Sequence, residues 1–184
     1  DEFENGISPV WQNPANPEEG WYEIKRGLKL NCVYYGRQPL ADLPQMLLQK
    51  VQYKNFAVSA KCKLSLKEDG DETGLVIFGK KYAYICVVRR DGQNFLELRE
   101  GEIGGDADRT LARSQPYSED GIIFKISAKY EDLNKLSYKV TFGKVAFTHK
   151  FYASPGVWTG ARIGIYARSD RLSKGFATFK NFKV

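Results

Sequence analysis

The chain has 184 residues, 42% of them hydrophobic and 14% aromatic, and its 28 Lys and Arg against 22 Asp and Glu give a formal charge of +6. That length suits one domain, residues 1–184, with a sizeable core, and no apolar run approaches the roughly 18 residues of a membrane helix. The basic residues are scattered, with Lys80-Lys81 and Arg89-Arg90 the densest pairs and no nucleic-acid-binding fingerprint around them, so neither nucleic acid nor a membrane span is expected.

The chain opens on Asp1-Glu-Phe-Glu without a basic and apolar leader, as a processed or excised start would. Residues 1–20 read as loop, because Pro9, Pro14 and Pro17 block regular pairing; Trp11 and Trp21 are the large anchors. Trp21–Arg26 and Leu28–Tyr35 read as two strands turning at Arg26-Gly27. A proline-containing loop over Gly36–Pro44 leads to a strand within Gln45–Gln52. Phe56, Val58, Ala60, Cys62, Leu64 and Leu66 then alternate with small and charged residues, the clearest period-2 signal in the chain and the mark of a half-buried strand.

After the acidic turn Glu68–Glu72, the runs Thr73–Gly79 and Lys81–Arg90 read as a hairpin of central strands. In the second run Ala83, Ile85 and Val87 share one face, and Tyr82, Tyr84, Cys86 and Val88 the other. If the first face is core, the second offers two tyrosines on a sheet surface. Asn94–Glu100 is a further strand, and Gly101–Arg109 suits a polar surface loop. Alternation resumes over Ile122–Tyr130 and Leu136–Phe142, a tight turn at Gly143-Lys144 leads into Val145–His149, and a loop over Tyr152–Thr159 carries Trp158. Ala161–Arg168 places Ala161, Ile163, Ile165 and Ala167 inward, with Arg162, Tyr166 and Arg168 outward, and Gly175–Val184 closes the chain. About a dozen strands separated by turn signals, with no convincing helix, define an all-β antiparallel sandwich of two sheets around one core.

The residues needed for catalysis are missing from this pattern. His149 is the single histidine and no Gly-x-Ser-x-Gly elbow stands elsewhere to use it. Sandwich glycan hydrolases commonly carry Glu-x-Asp-x-Glu on one strand face, whereas here Glu97, Glu100 and Glu102 break the alternation and Arg99 intervenes. Glu68, Asp69, Asp71 and Glu72 crowd a turn that reads as a solvated loop or a weak calcium site. Cys32, Cys62 and Cys86 lie in strand patterns with no CxxC pair, so zinc is not expected, and either buried thiols or one disulfide with a thiol left over fits the spacing. No catalytic residue, metal ligand or cofactor is assigned.

A binding surface remains. Planar aromatics cover the apolar face of a sugar ring while amide and guanidinium groups reach its hydroxyls. Outward or loop positions offer Tyr35, Tyr82, Tyr84, Trp158 and Tyr166, with Gln49, Arg89 and Arg162 beside them. The candidate ligand-binding set is Trp158, Tyr82, Tyr84, Gln49, Arg162 and Tyr166. The alternative use of strand-spaced aromatics is packing.

Motifs of distinctive order add to this reading. Asp1-x-Phe3, Trp11-Gln12 with Asn16-Pro17 and Trp21-Tyr22, Leu47–Lys50, Thr73–Val76, Lys81–Tyr84, Trp158–Ala161 with Ile163-Gly164, and Ala177-x-Phe179 together resemble the C-terminal module of family 43 glycoside hydrolases, the β-xylosidases and α-arabinofuranosidases. The resemblance runs nearly end to end. It implies a concanavalin-A-like jelly roll, an accessory role beside a separate five-bladed propeller that holds the catalytic carboxylates, and plant cell-wall xylan or arabinoxylan as the polysaccharide. It also implies that Trp158, in the loop before Thr159-Gly160-Ala161, comes near an active-site entrance. Two departures matter: Trp11-Gln12-Asn13 replaces the common Trp-Gln-Trp, and Ala177-Thr-Phe-Lys180 replaces Ala-Asp-Phe-Asp, removing acidic ligands for a structural calcium. The expectation is a non-catalytic, extracytoplasmic (periplasmic or secreted) accessory module. The rival readings are a stand-alone carbohydrate-binding protein and a hydrolase with its own carboxylate pair.

Overall fold

The computed structural model describes residues 1–52, 55–132, 135–142, 150–153 and 160–184. The described strands are β1 (Tyr22–Ile24), β2 (Leu28–Asn31), β3 (Val33–Tyr34), β4 (Met46–Lys50), β5 (Phe56–Ser65), β6 (Glu72–Phe78), β7 (Lys81–Arg90), β8 (Gln93–Glu102), β9 (Arg109–Tyr117), β10 (Gly121–Asp132), β11 (Lys135–Phe142), β12 (Lys150–Ala153), β13 (Arg162–Ser169) and β14 (Phe176–Lys183). Among the described residues one 3-10 turn, Leu40–Asp42, interrupts them. The strand expected over Val145–His149 and the loop residue Trp158 lie outside the described residues.

Two seven-stranded sheets result. The first runs β1-β2-β14-β5-β10-β11-β12; the second runs β3-β13-β6-β7-β8-β9, with β4 also pairing to β13. Pairing is antiparallel except where β3 meets β13 over Arg168↔Val33 and Ser169↔Tyr34. The core between the sheets takes Val58, Ala60 and Cys62 of β5, Ile122, Phe124 and Ile126 of β10, and Ala177 and Phe179 of β14. Facing them stand Leu75 and Ile77 of β6, Ala83, Ile85 and Val87 of β7, Leu96 and Leu98 of β8, and Ile163, Ile165 and Ala167 of β13. This is the inward set that the period-2 pattern predicts.

The N-terminal stretch is anchored as its motifs suggest. Trp11 donates from Nε1 to the Asp1 carboxylate at 2.9 Å, and its ring packs between Phe3 and Phe182 at centroid distances of 5.7 and 4.7 Å. Gln12 pairs with Leu48 as an isolated bridge on the free side of β4.

One local expectation is corrected, one unassigned region proves to be a strand, and one open alternative is decided. Leu28–Tyr35 is not one strand: β2 pairs with β14 in the first sheet and β3 with β13 in the second, so the chain turns a corner at Cys32, whose N–H goes to the Gly175 carbonyl. Arg109–Tyr117, a region with no clean alternation, is a strand at the open edge of the second sheet, where little of it is buried. The three cysteines are free and buried, and burial pushes the thiols of Cys62 and Cys86 well above their usual range.

Gly164 of β13 shows why a motif residue is glycine. A methyl group there would stand 2.2 Å from the Leu47 carbonyl oxygen and 2.5 Å from Leu48 Cδ2. Because backbone of β4 is the obstacle, Gly164→Ala is expected to cost about 1–3 kcal/mol in chemical denaturation. An unchanged midpoint would show that β4 yields.

Candidate functional site

The face of the second sheet turned away from the inter-sheet core is the part of the molecule where polar chemistry concentrates. Alternation puts Glu72 and Val76 of β6, Tyr82, Tyr84 and Cys86 of β7, Glu97 and Arg99 of β8, and Arg162, Tyr166 and Arg168 of β13 on this side. The face is not solvent-exposed. Leu40 and Leu43, around the 3-10 turn, and Met46 and Leu48 of β4 form a second apolar cluster with Val76, Phe78, Tyr82, Tyr84, Cys86 and Tyr166. Tyr82, Tyr84 and Tyr166 keep 0, 1 and 0% of their surface.

The expected outward tyrosines are therefore corrected: both faces of the second sheet are buried, and these rings stack on protein. Phe78, Tyr82 and Tyr84 form a stacked row with centroids 5.5 and 6.3 Å apart, and Tyr84 meets Tyr166 edge-on at 5.9 Å. A period-2 pattern identifies which residues share a face but not what covers that face; here the proline-containing loop 36–44 does so.

Beneath this apolar cover lies an ionic network. Glu72 Oε2 accepts from Arg99 Nη1 at 2.6 Å, while Oε1 accepts from the Tyr166 hydroxyl at 2.6 Å and from Arg168 Nε at 3.0 Å. Glu97 Oε2 accepts from Arg99 Nε at 2.7 Å, and Oε1 from Arg113 Nε at 2.6 Å and Arg90 Nε at 3.3 Å. All four carboxylate oxygens are occupied. Burial alone would raise the Glu72 carboxyl, but Arg168, Arg99 and the Tyr166 hydroxyl outweigh it and hold it down at about 2. Glu97 is likewise lowered: Arg99, Arg90 and Arg113 overcome the effect of its burial.

Asp108 ties the cover to this network. From the loop between β8 and β9 it accepts from the Tyr82 hydroxyl at 2.5 Å, the Tyr84 hydroxyl at 2.7 Å and the Leu40 N–H at 2.8 Å. The excursion read as a surface loop thus sends one carboxylate inward, with 5% of that side chain exposed. Gly101 makes room for it, since a methyl group there would lie 2.3 Å from Asp108 Oδ1 and 2.4 Å from the Tyr82 hydroxyl.

The remaining candidates separate. Arg162 is on the same face, half-buried, with its guanidinium 5.3 Å from the Phe78 ring centroid; its Nε has no partner among the described residues, and burial lowers its pKa. Gln49 lies in register with Ile163 and therefore points to the opposite side, into a recess of about 360 Å³ lined with Asp1, Trp11 and Phe182. Tyr35 is half-buried and gives its hydroxyl to the Asp42 carbonyl. Trp158 lies outside the described residues. The structure brings Tyr82, Tyr84, Tyr166 and Arg162 onto one face and leaves Gln49 apart.

Sequence reasoning missed Glu72, Arg99, Arg168 and Asp108. The available signal was opposite charges two residues apart, Glu97 and Arg99, on one face of an otherwise apolar strand. Charges at central strand positions are buried partners more often than solvated groups.

In the acidic turn, Asp71 Oδ2 accepts from the N–H groups of Lys67 and Glu68 at 2.7 and 3.0 Å and from the Ser173 hydroxyl at 2.9 Å, while its Oδ1 is buried with no hydrogen-bond partner among the described residues; Asp69 takes the Gly92 N–H, and Glu72 points away into the Arg network. Among the described residues, no three His, Cys, Asp or Glu side chains come together in a group that could hold a metal ion.

Two sheets of this order, packed face to face, define a concanavalin-A-like jelly-roll sandwich. The profile of the beta xylosidase C-terminal concanavalin A-like domain matches residues 1–184, and the chain belongs to that family. No curated protein matches it. Among solved structures it is similar to a family 43 glycoside hydrolase engineered to display endo-xylanase and exo-arabinofuranosidase activity, with a TM-score of 0.79, 21% identity and coverage of 100% of this chain and 40% of that one. A family 43 protein of Bacillus licheniformis gives a TM-score of 0.74 at 15% identity, covering 97% and 37%. A lichenase from a mouse hindgut metagenome gives 0.53 at 13%, covering 98% and 94%. These likenesses show the fold. The chain spans about 40% or less of the family 43 chains. Among the described residues no helix is long and apolar enough to cross a membrane.

Proposed function

We propose that residues 1–184 form one non-catalytic accessory module of a plant-polysaccharide hydrolase of family 43 type, supporting a five-bladed propeller catalytic domain and contacting xylan or arabinoxylan beside it. The observation that carries this reading is the state of Glu72 and Glu97. A glycosidase needs one carboxyl kept protonated near neutrality and a second with access to the sugar or to water. Here both are buried and lowered, with every oxygen engaged by arginine or tyrosine.

The family supports the accessory role, because the matching profile is that of a C-terminal domain. Exposed large apolar side chains, Val10, Tyr22, Tyr34, Ile103, Ile123, Leu172 and Val184 among the described residues, come singly from separate segments. Support for glycan contact rests on Trp158 and on its position before Thr159-Gly160-Ala161 in the family resemblance. An extracytoplasmic location, periplasmic or secreted, belongs to the same proposal, since polymeric xylan lies outside the cell.

Calorimetric titration of the chain with arabinoxylan and xylo-oligosaccharides, beside Trp158→Ala, tests the glycan contact. Stacking on an aromatic is worth about 0.5–1.5 kcal/mol beyond its buried area, so the variant is expected to weaken binding about tenfold. Undiminished binding in the variant would remove Trp158 from the site, and no binding by the intact chain would reduce the role to support of the catalytic domain.

A further inference from the structure

The outer face of the first sheet carries a different chemistry. A cleft of about 810 Å³ opens beside it, lined by Lys25, Arg26, Lys61, Lys63, Lys125 and Lys180 together with Glu119, Asp120 and the apolar Leu96 and Ile122. The strand register explains the clustering. Lys61 of β5 stands between Lys180 of β14 and Ile123 of β10; Lys63 stands between Thr178 and Gly121, and the missing side chain of Gly121 leaves a trough beside it. Lys125 is opposite Ser59 on the same face. Side chains two apart on a strand lie about 7 Å apart and neighbours on adjacent strands about 5 Å, so these ammonium groups form a compact two-dimensional array.

Like charges at this spacing oppose one another. Lys61, Lys63, Lys125 and Lys180 are exposed, and none has a carboxylate partner within ion-pair distance among the described residues. The stem of Lys180 is nonetheless held in place over the Arg26-Gly27 turn, where a methyl group on Gly27 would lie 2.8 Å from Lys180 Cγ.

We propose that this cleft binds an acidic polysaccharide through its uronate carboxylates. The partner class rests on the reading of the chain as a polysaccharide-hydrolase module; the site rests on the geometry alone. Ammonium-carboxylate hydrogen bonds are about twice as strong as neutral ones, and lysine ammonium groups on flexible stems adapt to the carboxylates along a polymer. Thr178 and Ser59 between the lysines supply hydroxyl partners for the sugar ring. A cleft of this volume falls in the range that encloses small ligands and short chain segments. Nucleic acid fits less well. Single strands need exposed aromatic platforms, whereas Tyr117, the aromatic in this lining, is half-buried with its hydroxyl on the Gly121 carbonyl.

Affinity electrophoresis of the 184-residue chain in gels containing polygalacturonate, glucuronoxylan, neutral arabinoxylan or single-stranded DNA tests the proposal, beside Lys61→Ser/Lys63→Ser/Lys180→Ser and Trp158→Ala. The expected result is retardation by polygalacturonate that the triple variant weakens at least about tenfold, that 0.5 M salt abolishes and that Trp158→Ala leaves unchanged. These lysines are exposed, so an unchanged melting curve will show the triple variant folded. No retardation by either acidic polymer, equal retardation of the triple variant, or stronger retardation by DNA would overturn it. Retardation by neutral arabinoxylan that only Trp158→Ala removes would uphold the accessory reading independently of this cleft.

Discussion

Glu72→Gln is expected to lower unfolding stability by about 3–5 kcal/mol, the effect of breaking a buried ion pair by removing one partner. The reason is local. Arg168 would keep the Gln38 carbonyl at 2.8 Å and Asp108 at 3.9 Å, and Arg99 would keep Glu97, but neither guanidinium would retain the anion placed between them. Replacing Glu102, whose exposed pair with Lys80 spans 3.8 Å, is expected to change stability by less than about 1 kcal/mol. The acid limb separates this account from simple loss of packing. Glu72 titrates at about 2 in the fold, against an ordinary value of 4.5, so its contribution is complete above about pH 4.5 and is lost as pH falls towards 2. Urea midpoints measured from pH 7 to pH 2 should therefore fall less steeply below pH 4.5 in Glu72→Gln than in the parent chain. Parallel curves would mean that the Glu72 carboxyl binds its proton equally in the folded and unfolded chain, so that Arg99 and Arg168 do not hold it down.

Asp108→Ala is the second large effect. Removing the carboxylate leaves the Tyr82 and Tyr84 hydroxyls and the Leu40 N–H without their acceptor, and each buried donor left unsatisfied costs about 1–3 kcal/mol. Water will reach some of these groups as the cover loosens, so the expected net loss is about 3 kcal/mol. The accompanying change should be regional: faster amide exchange at Leu40–Leu43, with exchange in β5 and β10 altered only as far as global stability falls. Asp108→Asn, which keeps one acceptor oxygen, should recover part of the loss. Unchanged exchange at Leu40 in Asp108→Ala would show that Leu40 and Leu43 hold the cover by packing alone.

Much of the fold was legible because one face of β5, β6, β7, β8, β10, β13 and β14 meets the inter-sheet core. The alternation of β5 from Phe56 to Leu64 corresponds residue by residue to its burial, and Ile163, Ile165 and Ala167 of the inward set read for β13 lie in the inter-sheet core. What escaped the pattern was the surroundings of the second face. Tyr82, Tyr84 and Tyr166 carry the same spacing whether solvent, a sugar or a loop lies over them, and the loop that covers them owes its place to Leu40, Leu43 and a hydrogen bond from Leu40 to Asp108, 68 residues away. The ionic network was hidden for a related reason. Glu72, Arg99 and Arg168 are distant in sequence and meet only through the register of β6, β8 and β13 around β7. Family resemblance supplied the jelly roll and the accessory role, and the matching domain profile agrees with both.

The most direct measurement of the central claim is hydrolysis by the 184-residue chain alone, using arabinoxylan, xylo-oligosaccharides and aryl xylosides and arabinofuranosides as substrates. The account predicts no release of xylose, arabinose or aryl alcohol above the uncatalysed background. Release that co-purifies with the folded chain would contradict it, and its disappearance in a Glu97→Gln variant whose melting curve shows it folded would make the buried carboxylates an active site.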